Sequence, residues 1–297
     1  MKIDRRDFLK LAGIGGVVFA SGLVHSGKLA NAAEEDFFFV QLSDTHWGFT
    51  GPMVNPDSTG TLRKAVAALN NLKIQPDFIM FTGDLTHVTD DDKERRKRLT
   101  GFRDIISELK VKNIRFMPGE HDAGLDEGEA FKEFFGKTHY AFDHKGVHFI
   151  ILDNVSDARS IIGEDQLGWL SGDLKQVDKN SPLVIFTHRP LFDLYPDWDW
   201  FTRDGDKALE MLKPYSKVSI FYGHIHQENH QKTGNITHHA AKGLMFPLPA
   251  PGSVPVKNPI PWDASQPYKG LGFRSVDVKV KEAQYAVSEF SVKGERL

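Results

Sequence analysis

The sequence predicts an α/β fold in which helices flank parallel or mixed sheets. Short apolar runs alternate along the chain with longer segments whose apolar residues recur at helical spacing. The runs are rich in Val, Ile and Phe and are bounded by Gly, Pro or polar residues, which is typical of buried strands. Apolar and polar residues alternate after residue 272, as expected of strands that complete a sheet.

The predicted elements follow one another in a regular order. Strands are predicted at residues 37–43, 78–82, 114–118, 183–187 and 218–222. Helices are predicted at residues 61–72, 90–110, 128–135 and 163–177, and a hairpin at residues 140–152. Because strands and helices alternate, the strands should run in parallel and end at a common edge.

Composition limits the classes of protein and of metal site to which this chain can belong. The 297 residues are enough for one large α/β domain or two small ones, and 26% charged residues are typical of a soluble globular chain. The net charge of −3 and the lack of a basic block argue against a nucleic-acid partner. The sequence has no cysteine, so a metal site would have to use His, Asp, Glu or Asn.

Residues 1–32 resemble an export signal. Arg5 and Arg6 precede a glycine-broken apolar run at 11–24, and Ala30-Asn31-Ala32 forms a small-x-small cleavage site. Paired arginines resemble a twin-arginine signal, whose export machinery carries folded proteins. We expect cleavage after Ala32, a folded domain at residues 33–297, and a periplasmic or otherwise exported protein without a membrane span. A permanent anchor is the alternative, although the run is short for a bilayer.

Five predicted strands end in side chains that can bind a metal ion. Since the carboxyl ends of parallel strands meet at one sheet edge, these side chains should converge there. The glycine before Asp84 lets the backbone turn sharply after its strand. The pattern indicates a two-metal centre with Asp84 shared between the ions. The five strand ends are Asp44-Thr45-His46, Gly83-Asp84, Gly119-Glu120-His121-Asp122, His188 and Gly223-His224-Ile225-His226.

In order and spacing, these blocks resemble those of the calcineurin-like metallophosphoesterases. The resemblance covers residues 37 to about 226 and, more loosely, the last strands. It implies a four-layer α/β/β/α sandwich of two mixed sheets flanked by helices, and hydrolysis of phosphoric esters. It also implies that Asp44, His46 and His226 complete one metal site around Asp84, and Glu120, His188 and His224 the other. His121 would contact the phosphate and protonate the leaving group, while Asp122 would orient His121 through a hydrogen bond.

The resemblance also suggests the chemistry and the substrate. Two ions, from Fe, Mn or Zn, would provide a bridging hydroxide and clamp the phosphoryl oxygens. The compact chain is similar to cyclic-nucleotide and glycerophosphodiester phosphodiesterases, which favours a small phosphodiester; a phosphomonoesterase is the nearest alternative. Glu120 stands where the family has Asn and adds a carboxylate to the ligands. A non-catalytic metal-binding periplasmic protein is therefore a third hypothesis.

Three further features allow more than one interpretation. His87 lies three residues after Asp84 and could support the metal site or lie on a loop surface. His238 and His239 could line a pocket or face solvent, and solvent is favoured. The loop with Trp198 and Trp200 could cover the substrate or pack against the proline-rich segment at 246–268.

Overall fold

The computed structural model describes residues 17–20, 35–51, 54, 58–282 and 284–296. Its strands are β1 (Val17–Ala20), β2 (Phe37–Leu42), β3 (Phe78–Thr82), β4 (Ile114–Met117), β5 (Tyr140–His144), β6 (Val147–Ile151), β7 (Leu183–Phe186), β8 (Val218–Tyr222), β9 (Asn229–Thr233), β10 (Ile236–Ala240), β11 (Phe273–Lys279) and β12 (Gln284–Phe290). Its helices are α1 (Ser58–Asn70), α2 (Asp92–Ser107), α3 (Glu120–Ala123), α4 (Glu129–Phe135), α5 (Glu164–Leu174) and α6 (Gly205–Leu212), and a 3₁₀ turn covers Pro196–Trp198.

The strands form two six-stranded sheets. The first sheet has the order β1-β12-β11-β2-β3-β4, and the second has the order β5-β6-β7-β8-β10-β9. The pairs β2–β3 and β3–β4 are parallel, as are β6–β7, β7–β8 and β8–β10. The remaining pairs, β1–β12, β12–β11, β11–β2, β5–β6 and β9–β10, are antiparallel. Both sheets are therefore mixed, and the parallel strands of each direct their carboxyl ends to a common edge.

An aromatic core fills the space between the two sheets. Phe39 of the first sheet is fully buried, stacks on Phe78 at 4.9 Å, and meets Phe149, Phe186 and Phe221 of the second sheet edge-on. Burying one such ring stabilises the fold by about 1.5–3 kcal/mol. Two further apolar clusters lie outside the sheets, one including residues of α1 and α2 and the other residues of α5 and α6. The predicted four-layer α/β/β/α sandwich is confirmed.

Local sequence sets the helix boundaries more tightly than periodicity suggested. Helix α2 begins at Asp92, because the carboxylate of Asp91 accepts hydrogen bonds from the N–H groups of Lys93 (2.9 Å) and Glu94 (3.0 Å). Its inner face buries Leu99 and Phe102. The predicted 90–110 helix is thus present but shorter, since the cap supplies a definite first turn.

Most of the predicted export signal, residues 1–32, lies outside the described residues. Strand β1 is the part of it that the structure describes, and it pairs antiparallel with β12 at the edge of the first sheet. Within the described ranges, no helix combines the length and apolarity needed to cross a bilayer. Cleavage after Ala32 and the domain boundary at residue 33 stay predictions.

The prediction that His238 and His239 face solvent is wrong. Both side chains are fully buried, because aromatic residues pack on each face of β10. Neighbouring side chains on a strand point to opposite faces, so His239 packs on Phe221 and His238 on Phe192. Burial lowers the pKa of His238 to about 4, so this ring is neutral at neutral pH.

The tryptophan loop packs as part of the protein interior. Trp198 is 6% exposed and Trp200 is fully buried, in a cluster with Phe246 and Leu248 of the proline-rich segment. The side chain of Lys257 donates a hydrogen bond to the carbonyl of Trp198 at 3.0 Å. These contacts support the packing interpretation of this loop over that of a mobile cover.

Candidate metal centre

The loops after five strands bring the predicted metal ligands together. Strands β2, β3 and β4 of the first sheet and β7 and β8 of the second all end at the same side of the sandwich. The side chains form two groups whose ligand atoms lie within 4.8 Å of one another, with Asp84 in the first. The first group is Asp44, His46, Asp84 and His226; the second is Glu120, His188 and His224.

Several of these side chains stand on an unusual backbone. Nine non-glycine residues of the described chain have a positive φ, and five of them belong to the two groups. Such a conformation costs roughly 1–3 kcal/mol per residue and is retained where the surrounding structure imposes it. This backbone conformation turns each side chain from the end of its strand toward the candidate metal centre. The five are Asp44 (φ 53°), His46 (39°), Asp84 (50°), His224 (64°) and His226 (51°).

Glycine is required where the ligand loops approach each other. A Cβ at Gly119 would lie 2.0 Å from Asp84 Oδ1 and 2.3 Å from the Asp84 nitrogen. A Cβ at Gly223 would lie 2.0 Å from Ser43 Oγ. The loops of the two sheets can therefore touch only because these positions carry no side chain.

The first half of the centre is formed by Asp44, His46 and His226, all almost fully buried. The two Nε2 atoms of His46 and His226 are 3.1 Å apart, and Asp44 Oδ1 is 3.3 Å from His226 Nε2. Asp84 Oδ2 lies 3.5 Å from His46 Nε2. Ligand atoms about 2.0–2.2 Å from one ion are roughly 3–3.5 Å from each other, which matches these separations.

The second half is formed by Glu120, His188 and His224. Glu120 Oε1 lies 2.9 Å from His224 Nδ1, and Oε2 lies 2.9 Å from His188 Nε2. Asp84 Oδ2 is 3.5 Å from His188 Nε2, the same distance as to His46. One carboxylate oxygen of Asp84 thus lies between the halves, where the sequence predicted a shared ligand.

Backbone carbonyls orient three of the histidines as metal ligands. His188 Nδ1 donates to the carbonyl of Thr82 (2.7 Å), His226 Nδ1 to that of Phe246 (2.6 Å) and His224 Nε2 to that of Asp199 (3.1 Å). A carbonyl only accepts, so the ring proton of each neutral imidazole is on that nitrogen. The other nitrogen presents its lone pair to the centre, which is the usual support of a metal-bound histidine. Imidazole nitrogens and carboxylate oxygens suit Mn, Fe or Zn, so the residues fit the predicted pair of ions.

Neighbouring charged groups in the centre shift the pKa values of one another's side chains. Burial alone would raise the pKa of Glu120, but His224, Arg189 and His188 hold it well below its usual value. Burial would likewise lower the pKa of His188, yet Asp84 and Glu120 keep it well above its usual value. Glu120 is therefore an ionised carboxylate, so the centre contains a third negative charge beside Asp44 and Asp84.

His121 lies at the more open side of the centre. Its side chain is 24% exposed, and its Nε2 is 4.0 Å from Asp84 Oδ2. The N–H of Val88 donates to His121 Nδ1 at 3.2 Å, so the proton of the neutral ring is on Nε2. His121 thus presents an N–H hydrogen-bond donor beside the ligand groups.

The predicted hydrogen bond from Asp122 to His121 is replaced by bonds to the backbone. The Asp122 carboxylate accepts from the N–H groups of Leu85 (2.9 Å), Thr86 (2.8 Å) and Gly119 (3.0 Å). These bonds join the loop that contains Asp84 to the loop that contains Glu120. The helical turn α3 directs the Asp122 side chain back to its own start, so the residue braces the ligand loops instead of orienting His121.

Two further residues support the candidate metal ligands. The sequence left the role of His87 open and did not indicate Asn154. His87 Nδ1 lies 3.2 Å from His46 Nδ1, and its ring packs on that of His121 at 4.6 Å, so His87 belongs to the surroundings of the centre. Asn154 is fully buried, and its side-chain oxygen accepts from the N–H groups of His188 and Arg189. An asparagine after a strand, as here after β6, is too common for the sequence to single it out.

Comparison with known proteins agrees with this geometry. GpdQ of Arcobacter nitrofigilis, a probable glycerophosphodiester phosphodiesterase, is 27% identical over 203 residues, which cover 63% of this chain and 71% of that protein. The serine/threonine-protein phosphatase CPPED1 of Rattus norvegicus is 27% identical over 220 residues, covering 64% of this chain and 70% of that protein.

A solved structure shares the fold. A purple acid phosphatase from seeds of yellow lupin (Lupinus luteus) superposes with a TM-score of 0.63 at 16% identity. The superposition covers 89% of this chain and 53% of the lupin chain, so this protein spans about half of that structure. The family model for calcineurin-like phosphoesterases matches residues 39–228, which include every residue of the candidate centre. We conclude that this chain belongs to the calcineurin-like phosphoesterase family, whose members are metal-dependent hydrolases of phosphoric esters.

Proposed function

We propose that this protein is a two-metal phosphoesterase that favours a small phosphodiester. The proposal rests on the position of Asp84 between the two ligand groups, 3.5 Å from His46 of the first and 3.5 Å from His188 of the second, with the Nε2–H of His121 beside them. A site that only stored metal would need the ligands but not the adjacent proton donor. The retained His121 therefore favours an enzyme over the non-catalytic alternative.

The residues have distinct roles in the proposed reaction. When bound, two divalent ions would supply an activated water and neutralise the phosphoryl oxygens. Asp44, His46, Asp84 and His226 would hold one ion, and Asp84, Glu120, His188 and His224 the other. His121 would contact the phosphoryl group through its Nε2–H. In its imidazolium form it would donate that proton to the leaving oxygen and become neutral imidazole, because an alkoxide departs poorly without a proton. Asp122 would keep the loops of Asp84 and Glu120 in register.

The preference for a diester rests on the likeness to GpdQ, a probable glycerophosphodiester phosphodiesterase. The relative GpdQ is described as a phosphodiesterase, whereas CPPED1 is a phosphatase with the same degree of identity. A phosphomonoesterase is therefore the nearest alternative.

A paired assay tests the proposal. Purified protein supplied with Mn²⁺ would be given bis(4-nitrophenyl) phosphate and 4-nitrophenyl phosphate side by side, with Asp84→Asn as the control. We expect faster diester hydrolysis, lost in Asp84→Asn because the shared ligand is gone. Preference for the monoester would establish the phosphatase alternative. No turnover in a protein that holds two ions would favour the non-catalytic alternative, with Glu120 as the altered position.

We also propose export of the folded protein through a twin-arginine route to the periplasm. Arg5 and Arg6 support this proposal, because paired arginines are typical of a twin-arginine signal. This route exports folded proteins, so it also suits a protein that must bind its metal ions before export. Changing both arginines to lysine should leave precursor in the cytoplasm on cell fractionation. Unchanged export would remove the twin-arginine route from the proposal.

A further inference from the structure

A buried arginine lies against the second half of the centre. Arg189 follows His188 directly and is 5% exposed. Its Nη2 lies 3.7 Å from Glu120 Oε1, the oxygen that also faces His224. Among the described residues, Arg189 is the only arginine or lysine within 4.0 Å of a carboxylate oxygen of Asp44, Asp84 or Glu120.

The position of Arg189 is fixed from several sides. Nη1 donates to the carbonyl of Asp199 at 2.9 Å and forms an ion pair with its carboxylate. Asn154 binds both the N–H and the carbonyl of Arg189. Asp199 in turn accepts from His224 Nε2, so Arg189 and a metal-ligand histidine share one carbonyl. The guanidinium therefore cannot leave Glu120 without disturbing this network.

The two halves differ in charge because Glu120 and Arg189 both belong to the second half. Glu120 gives the second half an ionised carboxylate of its own, and Asp199 lies on the far side of Arg189 and is 49% exposed. A cation a few ångströms from the ligand set weakens the attraction between that set and a divalent ion. Arg189 thus opposes the extra charge that Glu120 adds to the centre.

We propose that Arg189 is the counter-ion of Glu120 and sets the metal affinity of the second half. This inference rests on the proposed two-metal centre, but it concerns affinity and not turnover. If Arg189 acts through charge, its loss tightens metal binding. If Arg189 merely supports the fold of the site, its loss weakens metal binding. Whether metal binding tightens or weakens therefore distinguishes an electrostatic role of Arg189 from a structural one.

A cycle of variants tests the proposal by titration of the metal-free protein with Mn²⁺ in a calorimeter. Glu120→Gln keeps a ligand oxygen but removes the charge, and should weaken binding by about 10³-fold, as expected for one unit charge about 4 Å away at an effective dielectric near 20. Arg189→Met should tighten binding by a similar factor. The double variant should return close to wild type, because the net charge is restored.

The matched control is Arg189→Lys, which keeps the charge and should stay within a few-fold of wild type. Thermal unfolding of each metal-free variant would identify any that no longer folds, in which case Glu120→Gln and Arg189→Lys still test the charge. Weaker binding in a folded Arg189→Met, or a double variant weaker than Glu120→Gln, would overturn the proposal. A wild type that binds two ions without turnover would instead remove only the proposed function.

Discussion

The two halves of the candidate metal centre are built alike, but different interactions hold their side chains in place. Both consist of side chains at strand ends, and Asp84 Oδ2 lies 3.5 Å from His46 in the first half and 3.5 Å from His188 in the second. The first half is enclosed by an aromatic ring, since Phe246 stacks on His226 at 4.4 Å and on His46 at 5.0 Å. The second half is enclosed by charge, since Arg189 lies against Glu120 and pairs with Asp199.

This difference indicates how each half should respond to change. Ring packing fixes the positions of ligands but adds no net charge, so the first half should depend on shape. The second half contains an extra carboxylate and an opposing guanidinium, so its affinity should depend on charge. Variants that change one half, both halves or neither can therefore test this difference.

The largest effect is expected from Gly119→Ala, which acts where the two halves meet. The new Cβ would lie 2.0 Å from Asp84 Oδ1, so Asp84 would be displaced from both halves. Metal content and turnover should fall together by orders of magnitude. Gly168→Ala is the matched control, because a Cβ there meets nothing within 4 Å. Normal metal content in Gly119→Ala, measured by elemental analysis, would show that Asp84 is not held as described.

His121→Ala should have the next largest effect and should spare both halves. Turnover should fall by about 10²–10⁴-fold, the usual contribution of a general acid, while metal content stays at the wild-type level. The loss should be smaller for an ester with a 4-nitrophenyl leaving group than for an alkyl ester, because nitrophenolate departs without a proton. An equal loss on both esters would argue against His121 as the acid, and lost metal would make it a ligand.

Phe246→Ala should have the smallest effect of the three and should be confined to the first half. The change removes the ring that stacks on His46 and His226 but keeps the carbonyl that orients His226. We expect one of two Mn²⁺ binding events to weaken by about 10- to 100-fold, the range for residues that support metal ligands. Phe246→Leu, which keeps apolar bulk, should lose less. Equal weakening of both events would contradict the separation of the halves.

The convergence of the candidate ligands was predictable because the signal for each of them is local. Each strand end, such as Gly83-Asp84, carries its glycine and its ligand within a few residues. The sandwich was predictable for the same reason, since the strand and helix patterns are local and the order of the blocks is that of the family. Helix ends differed by a few residues where a cap such as Asp91 fixed them.

The contacts that the sequence could not predict are those between distant elements. Arg189 meets Glu120 only because the loops after β4 and β7, on different sheets, face each other. His238 is buried because Phe192, from the loop after β7, packs on its ring, a contact between elements distant in the sequence. Asp122 was assigned to His121 from proximity in the sequence, whereas the short helix α3 turns its carboxylate to the backbone of Leu85 and Thr86.

We propose that this chain holds two metal ions through one shared carboxylate, that of Asp84. The most direct test is the metal content per chain of wild type and Asp84→Asn after loading with Mn²⁺ and removal of free ions. We predict two ions per wild-type chain and fewer than one in Asp84→Asn, since that residue supports both halves. A single ion in the wild type, or an unchanged content in Asp84→Asn, would contradict the account.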